Sequence, residues 1–384
     1  MISYGRQCID EKDIKAVVDV LESDFLTQGP AVEDFEKYVA DYTGSKYAVA
    51  VNSATSALHI ACMAAGMKKG DVLWTSPNTF VASANCALYC GAEADFVDID
   101  DDTYNMSIDL LEAKLKTAKV KPKVVIPVHF AGQSCDMERI SALSKEYGFW
   151  VVEDASHAVG ATYKDTKVGC SRYSAMTIFS FHPVKIATSA EGGMILTNDK
   201  NLYDKLLLFR SHGITRNADF MRKTSDGPWY YEQIDLGYNY RMTDVLAALG
   251  KSQMGKVDVF VERRRELAAK YEKLLAGLPL RLPLQAGYSN SSWHIYVVRV
   301  DFDKVKLSKK EIFEKMKEHG VALNLHYIPV HTQPYYEDMG FKKGDFPISE
   351  KYYEEVMTLP LYYGLTDKEQ ENIAEKLKEV LAGG

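Results

Sequence analysis

A chain of 384 residues that is 46% hydrophobic and 26% charged has material for two or three domains and a large core, with the composition of an ordinary globular protein. Its net charge of −7 argues against a nucleic-acid surface, and no basic stripe runs along it. The densest basic stretch, Glu262-Arg263-Arg264-Arg265-Glu266, lies in a helical pattern between acids and reads as a solvated helix face.

The chain opens with apolar residues at helical spacing, Ile14, Val17, Val18 and Leu21, behind Asp10 as a cap. No apolar signal segment precedes them. Leu26-Thr27-Gln28-Gly29-Pro30 breaks this helix, and a second one over 32–42 ends at Gly44. Strand and helix patterns then alternate. Strands are expected over 47–51, 72–75, 94–97, 124–127 and 149–152, with helices over 56–65, 80–90, 108–115 and 137–147 between them. Such alternation predicts an α/β fold with a mostly parallel sheet and helices on both faces, in which ligands bind beyond the carboxyl ends of the strands.

Two runs of 21 residues, 47–67 and 72–92, carry no Asp, Glu, Lys or Arg, which is membrane-span length. Asn52-Ser53 and Ser76-Pro77-Asn78-Thr79 interrupt them, so buried strand–turn–helix units are expected and no membrane. The six cysteines are scattered without metal-ligand spacing, so reduced thiols, no metal and a cytoplasmic location are expected. After about residue 245 the texture changes. A long helix over 257–275, a strand over 293–300, a helix over 309–318, a short strand over 321–325 and a last helix over 367–381 predict a smaller α+β domain over 246–384, after a large one over 1–245.

Three places where strand patterns end carry chemistry. Asn52-Ser53-Ala54-Thr55-Ser56 opens a helix with small and hydroxylated residues, where backbone N–H groups and the helix dipole suit a phosphate, although alone this is an N-cap. Glu153-Asp154-Ala155-Ser156-His157 puts a carboxylate at the end of an apolar strand; a buried Asp needs a cationic or hydrogen-bonding partner, be it a salt bridge, a metal or a pyridinium nitrogen. Lys185 follows a strand over 176–181 that stops at His182-Pro183, and Glu191-Gly192-Gly193 leads into another apolar run. A lysine among small and apolar residues loses hydration, which lowers its pKa and frees the amine for Schiff-base chemistry; alone, a loop lysine is solvated. A phosphate cup, an acid and an amine together are what pyridoxal 5′-phosphate requires. Nicotinamide and flavin readings are weaker, since no GxGxxG follows any strand.

NSATSALH, EDASHAVG, FSFHPVK followed by EGG, RSHG and GYNYRMTDVLAALG resemble, in this order, the DegT-type nucleotide-sugar aminotransferases. The resemblance extends from YGRQ and LTQGP to HYIPVHTQPYY and implies a fold-type I enzyme working as a homodimer with its site at the subunit interface. It implies that Lys185 holds the cofactor's aldehyde and shuttles the proton at the sugar C4. Asp154 would meet the pyridine nitrogen, His157 the ring oxygen, and Phe80 the ring face. Ala54, Thr55 and Ser180 would form the phosphate cup, with Asn239 reaching it from the other subunit. The loop departs from the family pattern in lacking a proline and a glycine after the lysine, while lysine rather than histidine argues for transamination over dehydration.

LTQGP, VHFAGQSCDM, GPWYYEQ and HYIPVHTQPYY most resemble the branch that serves pseudaminic acid biosynthesis. That implies transfer of an amino group from L-glutamate to C4 of a UDP-4-keto-6-deoxy-N-acetylhexosamine. Tyr4, Asp24, Phe25, Leu26, Thr27, Leu325, His326, Tyr327 and Ile328 would then line the nucleotide-sugar pocket. Arg241 and Arg210 are candidates for the glutamate carboxylate or the diphosphate. Alternatives are another NDP-4-keto-6-deoxy sugar, of perosamine or bacillosamine type, and a pyridoxal-phosphate-binding regulator without turnover.

Overall fold

The computed structural model describes residues 1–383. Its helices are α1 Glu11–Leu21, α2 Pro30–Thr43, α3 Ala54–Ala64, α4 Ala82–Tyr89, α5 Ile108–Thr117, α6 Met137–Tyr147, α7 Lys200–Arg210, α8 Asp244–Met254, α9 Val257–Leu274, α10 Lys309–Glu318, α11 Pro334–Glu337, α12 Pro347–Glu355 and α13 Asp367–Ala382. Local chemistry fixes their starts. Asp10, Ser308 and Thr366 each form a reciprocal capping box with the acid three residues on, Asp13, Glu311 and Glu369, which satisfies two orphan N–H groups at each end.

Seven strands make the main sheet: β1 Tyr47–Val51, β2 Val72–Thr75, β3 Glu93–Phe96, β4 Val124–Ile126, β5 Trp150–Asp154, β6 Met176–Ser180 and β7 Gly193–Thr197. Their order is β1-β7-β6-β5-β4-β2-β3. All run the same way except β7, which pairs antiparallel with both β1 and β6. The carboxyl ends of β1, β5 and β6 therefore share one edge of the sheet, and the start of β7 lies between two of them: Gly193 is in register with both Val51 and Ser180. Helices cover both faces. Leu58, Ile60, Ile178, Ile195 and Leu206 pack on one side and Phe35, Phe179, Phe181, Met194 and Met254 on the other. Each such side chain contributes about 1.5–3 kcal/mol relative to exposure. The charge-free runs are β1 with α3 and β2 with α4, and among the described residues no helix is long and apolar enough to cross a membrane.

A second sheet, β8 Leu280–Arg281, β9 Tyr296–Val300 and β10 Val356–Leu359, is antiparallel in the order β8-β9-β10 and packs under α9, α10 and α13 through Leu267, Tyr271, Val298, Ile312 and Leu377. Here the sequence reading needs correction. The segment 321–325 is no strand; it makes single bridges, Val321 to Ile2 and Asn324 to Thr358. The middle strand begins at Tyr296, because Trp293 adopts φ 49. Arg264 is no solvated helix residue: at 2% exposure its guanidinium donates to the carbonyls of Trp293, His294 and Leu361 at 3.2, 3.0 and 2.9 Å. The α9 helix serves both cores, Val257 and Phe260 the first and Leu267 and Tyr271 the second. The N-terminus also crosses over, since Ile2 pairs with Val321 and Tyr4 O accepts from Leu361 N at 3.0 Å.

Gly193 is required by a close approach. A Cβ there would stand 2.5 Å from Ser53 O and 2.7 Å from Ala54 N. Gly193→Ala is therefore expected to cost about 1–3 kcal/mol of stability by overpacking, seen as a lower melting temperature, with weaker retention of any ligand held at the start of α3. An unchanged melting temperature would contradict the contact.

Candidate active site

A cavity of about 450 Å³ opens at the carboxyl edge of the main sheet. Its walls include Ser53, Ala54 and Thr55 from the start of α3, Asp154 and His157 after β5, Ser180 and Lys185 after β6, and Tyr4, His294, His326 and Tyr327 from the C-terminal side and the N-terminus. The three strand-end motifs thus converge, although 102 residues separate Asn52 from Asp154 and 31 separate Asp154 from Lys185.

The start of α3 is shaped by its own side chains. Ser53 Oγ accepts from Ser56 N at 3.1 Å, and Ser56 Oγ donates to Asn52 Oδ1 at 2.6 Å. That leaves the N–H groups of Ala54 and Thr55 at the cavity wall without an intrahelical acceptor, as at any helix start. Ser180 lines the same cavity, and its Oγ has no hydrogen-bond partner among the described residues. Backbone donors, a hydroxyl and the helix dipole together favour a phosphate.

Asp154 ends β5 at 6% exposure. Its Oδ2 accepts from Ser83 Oγ at 2.6 Å and its Oδ1 from Ser156 N at 3.1 Å. Among the described residues no side-chain cation forms an ion pair with it, so the structural salt bridge left open by the sequence is not what holds it. A buried carboxylate with two neutral donors and an open side toward a cavity suits a cationic ring nitrogen. Lys185 has only the cavity for company. Burial pushes its amine down to about 8, against the opposing pull of the Asp154 charge, and it forms no ion pair among the described residues. An amine near 8 is a nucleophile at neutral pH.

Neutral imidazoles surround it. Burial, then the charge of Lys185, then His326, hold His157 well below the ordinary histidine range, and His294 is held down in the same way, by burial first and then by His157 and Lys185. His326 lies at about 3 for the same reason and is tied to Thr358 Oγ1 at 2.9 Å through Nδ1. The His157 and His294 rings are 4.4 Å apart, and the Nδ1 of each is buried without a partner.

The other expected positions fall in two groups. Phe80 stands at the cavity mouth, 58% exposed, and Tyr4, His326 and Tyr327 line the wall. Asp24, Phe25, Leu26 and Thr27 lie on an exposed turn away from the cavity, beside α8, where Thr27 bridges Thr243. Leu325 packs in a cluster with Phe130 and Tyr352, and Ile328 is exposed; neither lines the cavity. Asn239 is exposed and bridges Ser211. Arg241 bridges Val51 through its backbone and makes no ion pair among the described residues. Arg210 is corrected: its Nη1 is committed to Glu36 and donates to Ala50 O at 2.9 Å, so it is unavailable to a substrate anion. His294, Ser83, Thr79 and Glu191 are site or supporting residues that sequence reading passed over. Thr79, in the bend before α4, and Ser83, in its first turn, are hydrogen-bonded at 2.9 Å, a contact without a local sequence signal.

The model of the DegT/DnrJ/EryC1/StrS aminotransferase family matches residues 7–378. The chain is 39% identical to the spore coat polysaccharide biosynthesis protein SpsC of Bacillus subtilis, over 100% of this chain and 97% of that one. It is 36% identical to UDP-4-amino-4,6-dideoxy-N-acetyl-beta-L-altrosamine transaminase of Campylobacter jejuni, over 99% and 98%. Among solved structures it is similar to Helicobacter pylori PseC, an aminotransferase involved in the biosynthesis of pseudoaminic acid, with TM-score 0.91, 31% identity and full coverage of both chains. The PLP form of a putative sugar aminotransferase, Spr1654 of Streptococcus pneumoniae, matches with TM-score 0.89 at 30% identity, over 99% of this chain and 98% of that one.

Proposed function

Since this chain belongs to the DegT/DnrJ/EryC1/StrS aminotransferase family and is a pyridoxal-phosphate-dependent sugar aminotransferase of fold type I, we propose that it moves an amino group from L-glutamate to C4 of a UDP-4-keto-6-deoxy-N-acetylhexosamine, as in pseudaminic acid biosynthesis. The observation that carries the site assignment is the Lys185 amine, near pKa 8, sharing one cavity with Asp154 and the start of α3. The resemblance of the C. jejuni transaminase and PseC carries the sugar.

When bound, pyridoxal phosphate supplies an aldehyde that carries the amino group and a ring that takes up the electron pair left by a departing proton. The rest is work for the chain. The amides of Ala54 and Thr55 and the Ser180 hydroxyl would hold the phosphate, and Asp154 would accept from the pyridinium N–H. His157 and Phe80, which also line the cavity, would hold the ring itself. Lys185 Nζ would hold the aldehyde at rest and, once displaced, would take up the α-proton of glutamate and return a proton to the sugar C4. Tyr4, His326 and Tyr327 border the space left for the sugar.

A second copy of the chain completes the site. Ile14, Val18 and Leu21 form an exposed apolar face on α1, and Phe25, Leu26, Phe220, Trp229 and Leu236 are exposed nearby in sequence or on the following loops. Burying these in a homodimer accounts for so much exposed apolar surface. It would also give Asn239, Arg241 and the turn 24–27 a cavity to reach, the partner's. The cytoplasm, where glutamate and nucleotide sugars are made, is the expected location.

A panel of UDP-, GDP- and dTDP-linked 4-keto-6-deoxy sugars with glutamate tests the substrate. The expected result is a 4-amino UDP-sugar with 2-oxoglutarate formed in equal amount. Amination of only a GDP- or dTDP-linked sugar would move the chain to another branch.

A further inference from the structure

The C-terminal side of the molecule touches His157 through one phenol. Tyr327 Oη lies 3.0 Å from His157 Nε2, with the two rings only 21° from parallel. We propose that Tyr327 is a positioning residue, fixing the orientation and tautomer of His157 toward the cofactor ring, and that Asn78 is the residue that holds Tyr327 there. This rests on the reading that the cavity takes pyridoxal phosphate on Lys185.

The phenol has no other hydrogen-bond partner among the described residues, and its donating to Nε2 is part of this proposal. His157 then carries its own proton on Nδ1, which is buried and without an acceptor. The groups facing His157 are consistent with a neutral ring. Lys185 comes from the loop after β6, Asp154 from the same strand end, His294 from the segment before β9, and His326 with Tyr327 from the segment after α10. His326 makes no hydrogen bond to the phenol among the described residues, and its Nδ1 is engaged by Thr358. His294, its peptide clamped by Arg264, packs against the His157 ring and limits its rotation.

Asn78 acts one step further back. Its Oδ1 accepts from Tyr327 N at 3.2 Å and its Nδ2 donates to Tyr104 O at 3.5 Å. At 1% exposure, and not among the residues lining the cavity, it touches neither sugar nor cofactor space. Of the two residues it bonds, Tyr327 lines the cavity and Tyr104 does not. The alternative for Tyr327 is a wall against which the sugar or uracil lies.

Holoenzyme carrying Tyr327→Phe or Asn78→Ala separates the two. The expected result is a shift in the pH midpoint of the cofactor's visible absorption, on the order of half to one pH unit for the loss of one hydrogen bond. Both variants shift it in the same direction, with KM for the keto sugar changed less than about threefold. An unmoved midpoint with a KM raised tenfold or more makes Tyr327 a sugar contact and overturns the proposal; an unmoved midpoint with unchanged KM overturns it equally. Nitrogen-15 NMR of the apoenzyme, with His157→Gln to identify the signal, needs no cofactor. It should show His157 protonated on Nδ1 in the wild type and a tautomer mixture in Tyr327→Phe. A wild-type proton on Nε2 overturns the proposal. Absence of any visible band in wild-type holoenzyme would instead sink the Lys185 reading, while the NMR result still decides the tautomer.

Discussion

Lys185→Ala is expected to abolish turnover, with a loss of at least about 10⁴-fold, and to remove the visible absorption of bound cofactor while leaving the fold intact. The size of the loss follows from the two roles the amine holds, covalent attachment and proton transfer at carbon; proton transfer alone accounts for about 10²–10⁴-fold. The fold should survive because Lys185 contributes its backbone, not its side chain, to local structure: its N–H donates to His182 O at 2.9 Å, and its amine forms no ion pair among the described residues. Removing a half-buried amine that is short of partners also relieves a desolvation cost. Absorbance from 300 to 500 nm, a melting curve and a glutamate half-reaction decide it, and transamination at the wild-type rate by this variant would end the assignment. In the wild-type apoenzyme, capture of added pyridoxal phosphate should speed up as pH rises through about 8, because the neutral amine is the nucleophile and its pKa is lowered to about 8. A rate that falls over that range would have the wrong sign.

Asp154→Asn is the second large effect. The substitution keeps the shape and one acceptor for Ser83 Oγ or Ser156 N–H, but removes the negative charge. A ring nitrogen that loses its anion in a buried site forfeits about 3–5 kcal/mol, the cost of leaving one partner of a buried charged pair alone, or roughly 10²–10⁴-fold in rate. The deficit should appear in the single-turnover reaction with glutamate, where proton removal depends on the ring as electron sink. A wild-type single-turnover rate in Asp154→Asn would show that the carboxylate serves another group.

Much of this site could be read along the chain because its parts sit where regular structure stops. Strand periodicity around Ala48–Ala50, Val151–Val152 and Ile178–Phe179 is plain, and residues at or just past the end of each strand line the cavity. What resisted reading was whatever depends on partners distant in sequence. The reversed direction of β7 leaves no trace in a run such as Met194–Leu196, since a strand buried on both faces reads the same either way. The four residues of β10 precede Pro360 and look like a loop; they become a strand only beside Tyr296–Arg299. Arg264 looked solvated because its sequence neighbours are charged, whereas its burial is set by carbonyls of residues 293, 294 and 361. Asn78 and His294 are polar residues whose value lies in contacts with Tyr327 and His157, which no local pattern announces.

The segment carrying Lys185 is closed at its neck. Phe181 N donates to Gly192 O, and Phe181 O receives both Ser189 N, at 2.9 Å, and Thr188 Oγ1, at 3.0 Å. The peptide at 185 is therefore anchored, and the amine explores only the arc allowed by its own methylene chain. An arm on so short a tether can serve one side of a flat guest and not the other. Donor and acceptor molecules, visiting in turn, must both offer their reacting carbon to that side, so the handedness of the newly made centre is written into the closure of the loop between Phe181 and Gly192 as much as into any pocket for the sugar.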